Sequence, residues 1–178
     1  CTSCHGPGQI ADVKTMHGMK APLAATPDMY LGPDGQVVPG RSTRGHLAVA
    51  VPGTVSGLEL ARSRYGTRPR AALIAPALAY AEKGFVLDAG DAALLATATD
   101  AFRQDPASAA IFLNRGRPFV AGQTLVQRDL AKTLRAIAQR GPDGFYQGPV
   151  ATALVASSRA GGGLIRQADL DQYRTREL

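Results

Sequence analysis

The stretch from Gly122 to Ala151 constrains the fold most. Its helix-capping residues, its helix-breaking residues and the spacing of its apolar residues all predict the same helices. Thr124 followed three residues later by Gln127 is a capping-box pattern, which predicts a helix from Thr124 to Gln139. Apolar residues then recur at helical spacing, as expected for a helix with one buried face. They are Val126, Leu130, Leu134 and Ile137.

Gly141 and Pro142 predict the end of this helix, since glycine adopts the conformation that closes a helix and proline cannot continue one. The turn that follows carries Phe145-Tyr146, and Gly148-Pro149 predicts the first turn of a further helix. The stretch therefore predicts a helix, an aromatic turn and a second helix, and it contains no nucleophile motif.

The rest of the chain predicts a mainly α fold with few short strands. Pro76 is expected to kink or divide the helix in which it lies. His46 to Val51 is a candidate for a short buried strand, and residues 1–20 show no sustained period and are expected to be irregular. The further helices are predicted near 54–65, 70–83, 89–102 and 149–159.

The composition is that of a folded globular protein, with 45% hydrophobic and 19% charged residues. The net charge of +6 raises the question of nucleic acid, but the arginines are spread out and no aromatic residues interleave with them. No apolar run reaches the length of a membrane span. The chain opens on neither a methionine nor a signal peptide, so we expect a piece of a longer reading frame.

Cys1-Thr2-Ser3-Cys4-His5 matches the attachment motif of c-type haem, in which Cys1 and Cys4 bind the porphyrin and His5 ligates the iron. A haem needs an apolar pocket, and the short glycine-rich segment around the motif is poorly suited to building one. A small haem-carrying electron-transfer protein therefore stays as an alternative. Our leading expectation is that the chain binds no cofactor.

Metal and nucleophile motifs are not evident elsewhere in the sequence. None of the three histidines has a metal-ligand partner at helical spacing, and His46 is expected to be structural. No nucleophile elbow or P-loop occurs. We therefore predict no catalytic residue and no metal ligand in this chain.

Several runs resemble one enzyme family. The most specific is TLVQRDLAKTLRAIAQRGPDGFYQGPVA, and it is joined by Pro52-Gly53-Thr54-Val55-Ser56-Gly57 upstream and by Gly161-Gly162-Gly163 and Asp169-Leu170-Asp171-Gln172-Tyr173 downstream. In order and spacing these runs are similar to the large subunit of gamma-glutamyltransferases, also called glutathione hydrolases. The resemblance covers about Lys20 to Leu178. It implies an atypical segment at residues 1–20 and a partial large-subunit domain at residues 21–178.

The resemblance implies an N-terminal-nucleophile hydrolase with a four-layer αββα fold, of which this chain is the helical lobe. Such enzymes are made as one precursor that cleaves itself before a threonine, and we expect this one to be bacterial and periplasmic or secreted. That threonine heads the small catalytic subunit and carries the γ-glutamyl group from glutathione to water or an acceptor amine. The partners implied are this small subunit and a γ-glutamyl substrate, with neither nucleic acid nor a membrane span.

The resemblance also implies one binding residue that this sequence does not have. In the family, an arginine in a D-x-R-E-x-A-P run binds the α-carboxylate of the substrate. When this run is aligned on Lys20-Ala21-Pro22, the position of the arginine falls on Gly18. We therefore assign no substrate-binding residue, and we expect this chain to be inactive alone because it lacks the catalytic threonine. A cephalosporin-acylase-like relative is the alternative within the same fold.

Overall fold

The computed structural model describes residues 27–175, which form two units. One unit consists of residues 27–64 and 142–175, and the other is the continuous segment Tyr65–Gly141. Helices dominate both units, and the strands in the described residues are only two residues long, so the predicted mainly α fold is confirmed. The helices are α1 Thr54–Tyr65, α2 Arg70–Lys83, α3 Ala89–Thr97, α4 Thr99–Gln104, α5 Pro106–Phe112, α6 Arg128–Arg140, α7 Asp143–Tyr146, α8 Gly148–Ala160 and α9 Gln167–Asp171. The strands are β1 Phe85–Val86, β2 Leu113–Asn114, β3 Arg117–Pro118 and β4 Thr124–Leu125.

The Tyr65–Gly141 unit is built on the packing of α2 along α6. The Gln127 N–H donates to the Ala81 carbonyl oxygen at 2.9 Å, and Arg135 pairs with Glu82 at 2.7 Å. Strand β1 pairs antiparallel with β4, and β2 pairs antiparallel with β3. Gly84 lies beside this pairing with φ 84°, and a β-carbon there would collide with Val126, so only glycine fits.

The other unit surrounds a small apolar core. Helices α7, α8 and α9 supply Tyr146, Ala151 and Leu170, and Ala151 and Leu170 are almost completely buried. Ile165 adds to the core from the loop between α8 and α9. Val51 and Val55, at the entry to α1, pack against the same residues. The core therefore joins two parts of the chain that lie far apart in sequence.

The start predicted for the central helix was wrong. Thr124–Leu125 forms β4, the helix begins at Arg128, and Gln127 makes no side-chain capping bond. The physical reason is tertiary: Leu125 is buried and pairs with Phe85, which holds this backbone extended. The predicted end was confirmed, since Gly141 has φ 63° and its N–H closes on Ile137.

The helix predicted at 89–102 is divided into α3 and α4 at Ala98. The Thr97 hydroxyl donates to the Leu94 carbonyl and the Thr99 hydroxyl to the Ala96 carbonyl. Hydroxyls that bond back to the helix in this way bend it and compete with its regular bonds. Two threonines so close together therefore account for the break.

The strand expected from His46 and the division of the helix expected at Pro76 were both wrong. The segment from His46 contains a 3₁₀ turn over His46–Ala48 and no strand, because Gly45 has φ 79° and its carbonyl accepts the Ala48 N–H. Helix α2 continues through Pro76 without division. Its packing along α6 holds the helix together despite the bond that proline removes.

Candidate functional site

The residues singled out from the sequence for haem attachment and substrate binding lie outside the described residues. They are Cys1, Cys4, His5 and Gly18. Within residues 27–175 no group of three or more His, Cys, Asp or Glu side chains is placed to hold a metal ion. A functional site therefore has to be built from other side chains.

Four threonines that lie within helices do not supply an activated hydroxyl. Each donates its proton to a nearby backbone carbonyl, three or four residues earlier, at 2.7–3.1 Å. Such bonds tie the hydroxyl to its own helix, and none of these bonds goes to a general base. The threonines concerned are Thr97, Thr99, Thr133 and Thr152.

His46 is the single histidine within the described residues, and its ring is held against a glycine loop. A β-carbon on Gly161 would collide with the imidazole, and one on Gly163 would approach both His46 and the buried Ser158 hydroxyl. The Ser158 hydroxyl oxygen accepts the Ile165 N–H at 3.1 Å. This arrangement explains why a run of glycines follows α8, and it agrees with a structural role for His46.

The phenol of Tyr146 is held by two hydrogen bonds to backbone groups far away in the sequence. It donates to the Pro52 carbonyl oxygen at 2.6 Å and accepts the Ser56 N–H at 3.3 Å. The first N–H groups of a helix have no partner within the helix, and the Ser56 N–H is one of these in α1. Tyr146 therefore caps a helix that begins about ninety residues earlier in the chain.

Burial raises the pKa of Tyr146, against the lowering effect of the bond from the Ser56 N–H. A buried phenolate would have no solvent to stabilise its charge, so the neutral form is favoured. The neutral form is also the one that can donate to Pro52. Tyr146 is accordingly a hydrogen-bonding group at neutral pH and not a base.

Tyr173 and Thr175 complete this arrangement. The Tyr173 ring stacks on the Tyr146 ring with centroids 5.6 Å apart. The Tyr173 hydroxyl lies so close to Gly53 that a β-carbon at position 53 would collide with this hydroxyl. The Thr175 hydroxyl donates to the Ser56 hydroxyl oxygen at 2.7 Å. We call Ser56, Tyr146, Tyr173 and Thr175 the Tyr146 cluster.

The Tyr146 cluster holds backbone segments in place and does not take part in a reaction. The Tyr146 phenol bonds to backbone groups, and the Thr175 hydroxyl bonds to the Ser56 hydroxyl. Together with the stacked Tyr173 ring, these contacts fix the first turn of α1 against the segment that follows α9. A shallow groove lies nearby along α8 and is open to solvent. Its lining is mostly apolar, and its polar members are Thr152, Arg159 and Gln167. Gln167 is already bonded to the Tyr146 carbonyl oxygen and to Asp171. Neither feature supplies a nucleophile.

Comparison with known proteins identifies the protein family of this chain. The family model described as Gamma-glutamyltranspeptidase matches residues 14–177, which is nearly the whole chain. This chain belongs to the gamma-glutamyltranspeptidase family.

Relatives within the family support the assignment. A glutathione hydrolase proenzyme from Pseudomonas sp. (strain A14) is 62% identical over 160 residues, covering 89% of this chain and 28% of the relative. The crystal structure of Helicobacter pylori gamma-glutamyltranspeptidase superposes with a TM-score of 0.83 at 40% identity, covering 87% of this chain and 45% of that one. The Acylase ACY 1 proenzyme from Pseudomonas sp. (strain SE83) is 40% identical over 160 residues, covering 86% of this chain and 29% of the relative.

The chain spans a little over a quarter of the length of the proenzyme relatives it matches. The family runs recognised in the sequence contain three of the four residues of the Tyr146 cluster, but the sequence did not show that they meet. Their contacts join residues 90, 94 and 119 positions apart, and no local pattern carries such a contact. Resemblance to a family run was the one available signal.

Proposed function

We propose that this chain forms the helical lobe of a glutathione hydrolase, an enzyme that transfers a γ-glutamyl group to water or to an acceptor amine. The observation that carries the proposal is the 62% identity to a glutathione hydrolase proenzyme, against 40% identity to an acylase proenzyme over the same length. The similarity of the fold to a solved gamma-glutamyltranspeptidase supports it further.

The reaction implied is acyl transfer through a threonine. The threonine oxygen attacks the γ-carbonyl carbon, the bond to the departing amine breaks, and the proton of the hydroxyl passes through the threonine's own amine to that leaving group. Water or an acceptor amine then attacks the acyl-threonine ester and releases the γ-glutamyl group. Because the helix threonines described above donate to backbone carbonyls, we place the nucleophile outside residues 27–175.

Within such an enzyme this chain contributes shape and not reacting groups. The Tyr146 cluster fixes the first turn of α1 against the segment after α9. In the other unit, α2 and α6 pack on each other as a helix pair. The partners we propose are the small catalytic subunit of the same precursor and a γ-glutamyl substrate such as glutathione. We propose a periplasmic or secreted location, and no helix in the described residues is long and apolar enough to cross a membrane.

The experiment uses a hybrid proenzyme. In the Pseudomonas sp. (strain A14) proenzyme, the segment aligned with residues 27–175 is replaced by residues 27–175 of this chain, so that the relative supplies everything else. We expect the hybrid to release chromophore from a γ-glutamyl anilide, faster when a dipeptide acceptor is added. A folded hybrid without turnover would contradict the proposal.

The 178-residue chain by itself is the matched control. We expect no release of chromophore above buffer, since an activated nucleophile, a base and an oxyanion hole must act together in this chemistry. Turnover that persists through rigorous purification would show that catalytic residues lie within the chain.

A second hybrid tests the substrate-binding position. It carries residues 14–175, and therefore brings in Gly18 at the position where the family has its arginine. Loss of a bidentate carboxylate contact is expected to raise KM for the γ-glutamyl anilide at least tenfold relative to the first hybrid. Equal KM values would mean that Gly18 does not occupy the arginine's position.

Two alternatives have their own readouts. An acylase specificity would appear as hydrolysis of a cephalosporin side-chain amide by the first hybrid in preference to the γ-glutamyl anilide. Haem attachment at Cys1, Cys4 and His5 would appear as a Soret band when the chain is expressed with haem-maturation machinery. We expect neither.

A further inference from the structure

Helix α2 has the composition of a helix that is buried on all sides. Between Arg70 and Glu82 it carries no charged residue, and the intervening sequence is AALIAPALAYA. A helix that is apolar all round is normally covered all round. Yet Ala81 is the only residue of α2 that is buried.

The face of α2 that packs on α6 accounts for only part of its apolar surface. Ile74, Leu78 and Ala81 recur at helical spacing and are the least exposed residues between the two charged ends. The Ala81 carbonyl accepts the Gln127 N–H at the start of α6, which identifies this as the covered side.

A second face, one that we call the outer face of α2, is open to solvent. It consists of Leu73, Ala77 and Tyr80, at positions i, i+4 and i+7, with Leu73 48% and Tyr80 63% exposed. A third side carries only alanines before Glu82, and these need no cover because a methyl group exposes little apolar area. The Tyr80 ring meets Phe85 edge-on, with centroids 6.3 Å apart, but Tyr80 and Leu73 both stay largely exposed. The outer face is therefore the large apolar part of α2 that the described residues leave mostly uncovered.

Pro76 adds a polar feature beside the outer face. Proline has no N–H, so the Ala72 carbonyl cannot receive its regular helical bond. Ala72 is exposed, so this gap in the regular bonding of α2 lies at an exposed position of the helix.

We propose that the outer face of α2 is an internal docking surface, covered in the whole proenzyme by an uncharged apolar surface from another part of the same polypeptide. This rests on the proposed function, since it takes the chain to be part of such a proenzyme. The matched proenzyme relative is more than three times as long as the segment it shares with this chain, so most of its surface lies elsewhere.

The size of the outer face favours this occupant over a separate protein. A stable complex of two proteins buries about 800 Å² on each partner, which exceeds what three side chains on one helix present. A contact within one polypeptide needs no such area, because it loses no translational or rotational freedom on forming. The absence of charge from Ala71 to Ala81 further indicates an apolar partner surface.

The test compares two glutamate substitutions in the hybrid proenzyme. Leu73→Glu puts a carboxylate on the outer face, and Ala75→Glu puts the same carboxylate on the alanine side two residues away. A carboxylate buried without a partner is strongly unfavourable, whereas an exposed one is not. We expect Leu73→Glu to reduce soluble hybrid several-fold and to lower its Tm by several degrees, while Ala75→Glu leaves the yield within twofold.

Other outcomes would overturn the proposal. Equal tolerance of both substitutions would mean that the outer face stays in water, and equal loss would mean that the effect is not specific to it. A 178-residue chain that forms a stable dimer, dissociated by Leu73→Glu, would identify a second copy as the occupant.

The result can be read separately from activity. A hybrid that folds but hydrolyses nothing would contradict the proposed function, yet its Tm would still report on Leu73→Glu. Should the hybrid not fold, the same two changes at the aligned positions of the Pseudomonas proenzyme give the comparison. Equal tolerance there would overturn the docking surface just as decisively.

Discussion

The two units of this chain differ in the contacts that stabilise each of them internally. In the unit of residues 27–64 and 142–175, the Tyr146 cluster joins positions 90, 94 and 119 residues apart. In the unit Tyr65–Gly141, one continuous segment folds on itself, and its helices α3 and α5 begin at local caps, Asp88 and Asp105. The first unit therefore depends on a few ties between distant residues, whereas the second combines local caps with the packing of α2 along α6. Substitutions should separate the two.

The largest effect is expected from Leu170→Ala in the first unit. Leu170 is 1% exposed and lies in the core with Tyr146, Ala151 and Ile165. Truncating a fully buried leucine costs about 2–5 kcal/mol, since both contacts and a filled space are lost. Urea-dependent proteolysis of the hybrid proenzyme measures it. Leu94→Ala, at a leucine that is 72% exposed in the other unit, is the control and should change little.

A smaller loss is expected from Tyr146→Phe. The substitution keeps the ring but leaves the Pro52 carbonyl and the Ser56 N–H without their partner, which costs about 2 kcal/mol. Hydrogen exchange should become faster at the Ser56 amide in particular. Tyr65→Phe removes a hydroxyl from a tyrosine that is 81% exposed and should have no measurable effect. If both variants behaved alike, the Tyr146 cluster would not be what holds α1.

A local cap in the second unit should matter less. Asp88→Ala removes the carboxylate that accepts the Asp91 N–H at 2.8 Å, and loss of such a cap costs about 1 kcal/mol. Exchange at the first amides of α3 reports the change. The matched substitution Asp100→Ala removes a carboxylate with 91% exposure that pairs with Arg103 on the surface, and should cost less than about 0.5 kcal/mol.

The smallest effect concerns pH. Because the pKa of Tyr146 is raised in the folded state above its ordinary value of 10.0, the unfolded chain loses this proton first as the pH rises. The stabilisation is fully present below pH 10.0 and is lost as the pH rises through the folded pKa. Melting temperatures of the hybrid above pH 10.0 should therefore fall more steeply than those of its Tyr146→Phe variant. Parallel curves would contradict this account of the phenol.

The same contrast explains what the sequence could predict. Local signals account for the helix starts at Asp88 and Asp105, which are typical N-cap residues, and the helix end predicted at Gly141 was confirmed. They failed at Thr124, where a local capping pattern was overridden by the pairing of Leu125 with Phe85. Contacts of the Tyr146 cluster could not be predicted, because hydrogen bonds between residues so far apart leave no periodic trace.

Family membership was recognisable from sequence runs, whereas the open face of α2 was not. Helices α2 and α6 pack on each other, and Leu73 and Tyr80 of α2 stay more exposed than Leu130 of α6. Composition alone does not say which side of an apolar helix its neighbour covers. That required the structure.

The most direct test of the central claim, that residues 27–175 are a working lobe of a glutathione hydrolase proenzyme, is the intact mass of the purified hybrid. The account predicts two fragments whose masses sum to that of the precursor, with a new N-terminal threonine on the smaller one. A soluble, folded hybrid that stays a single uncleaved chain would contradict it.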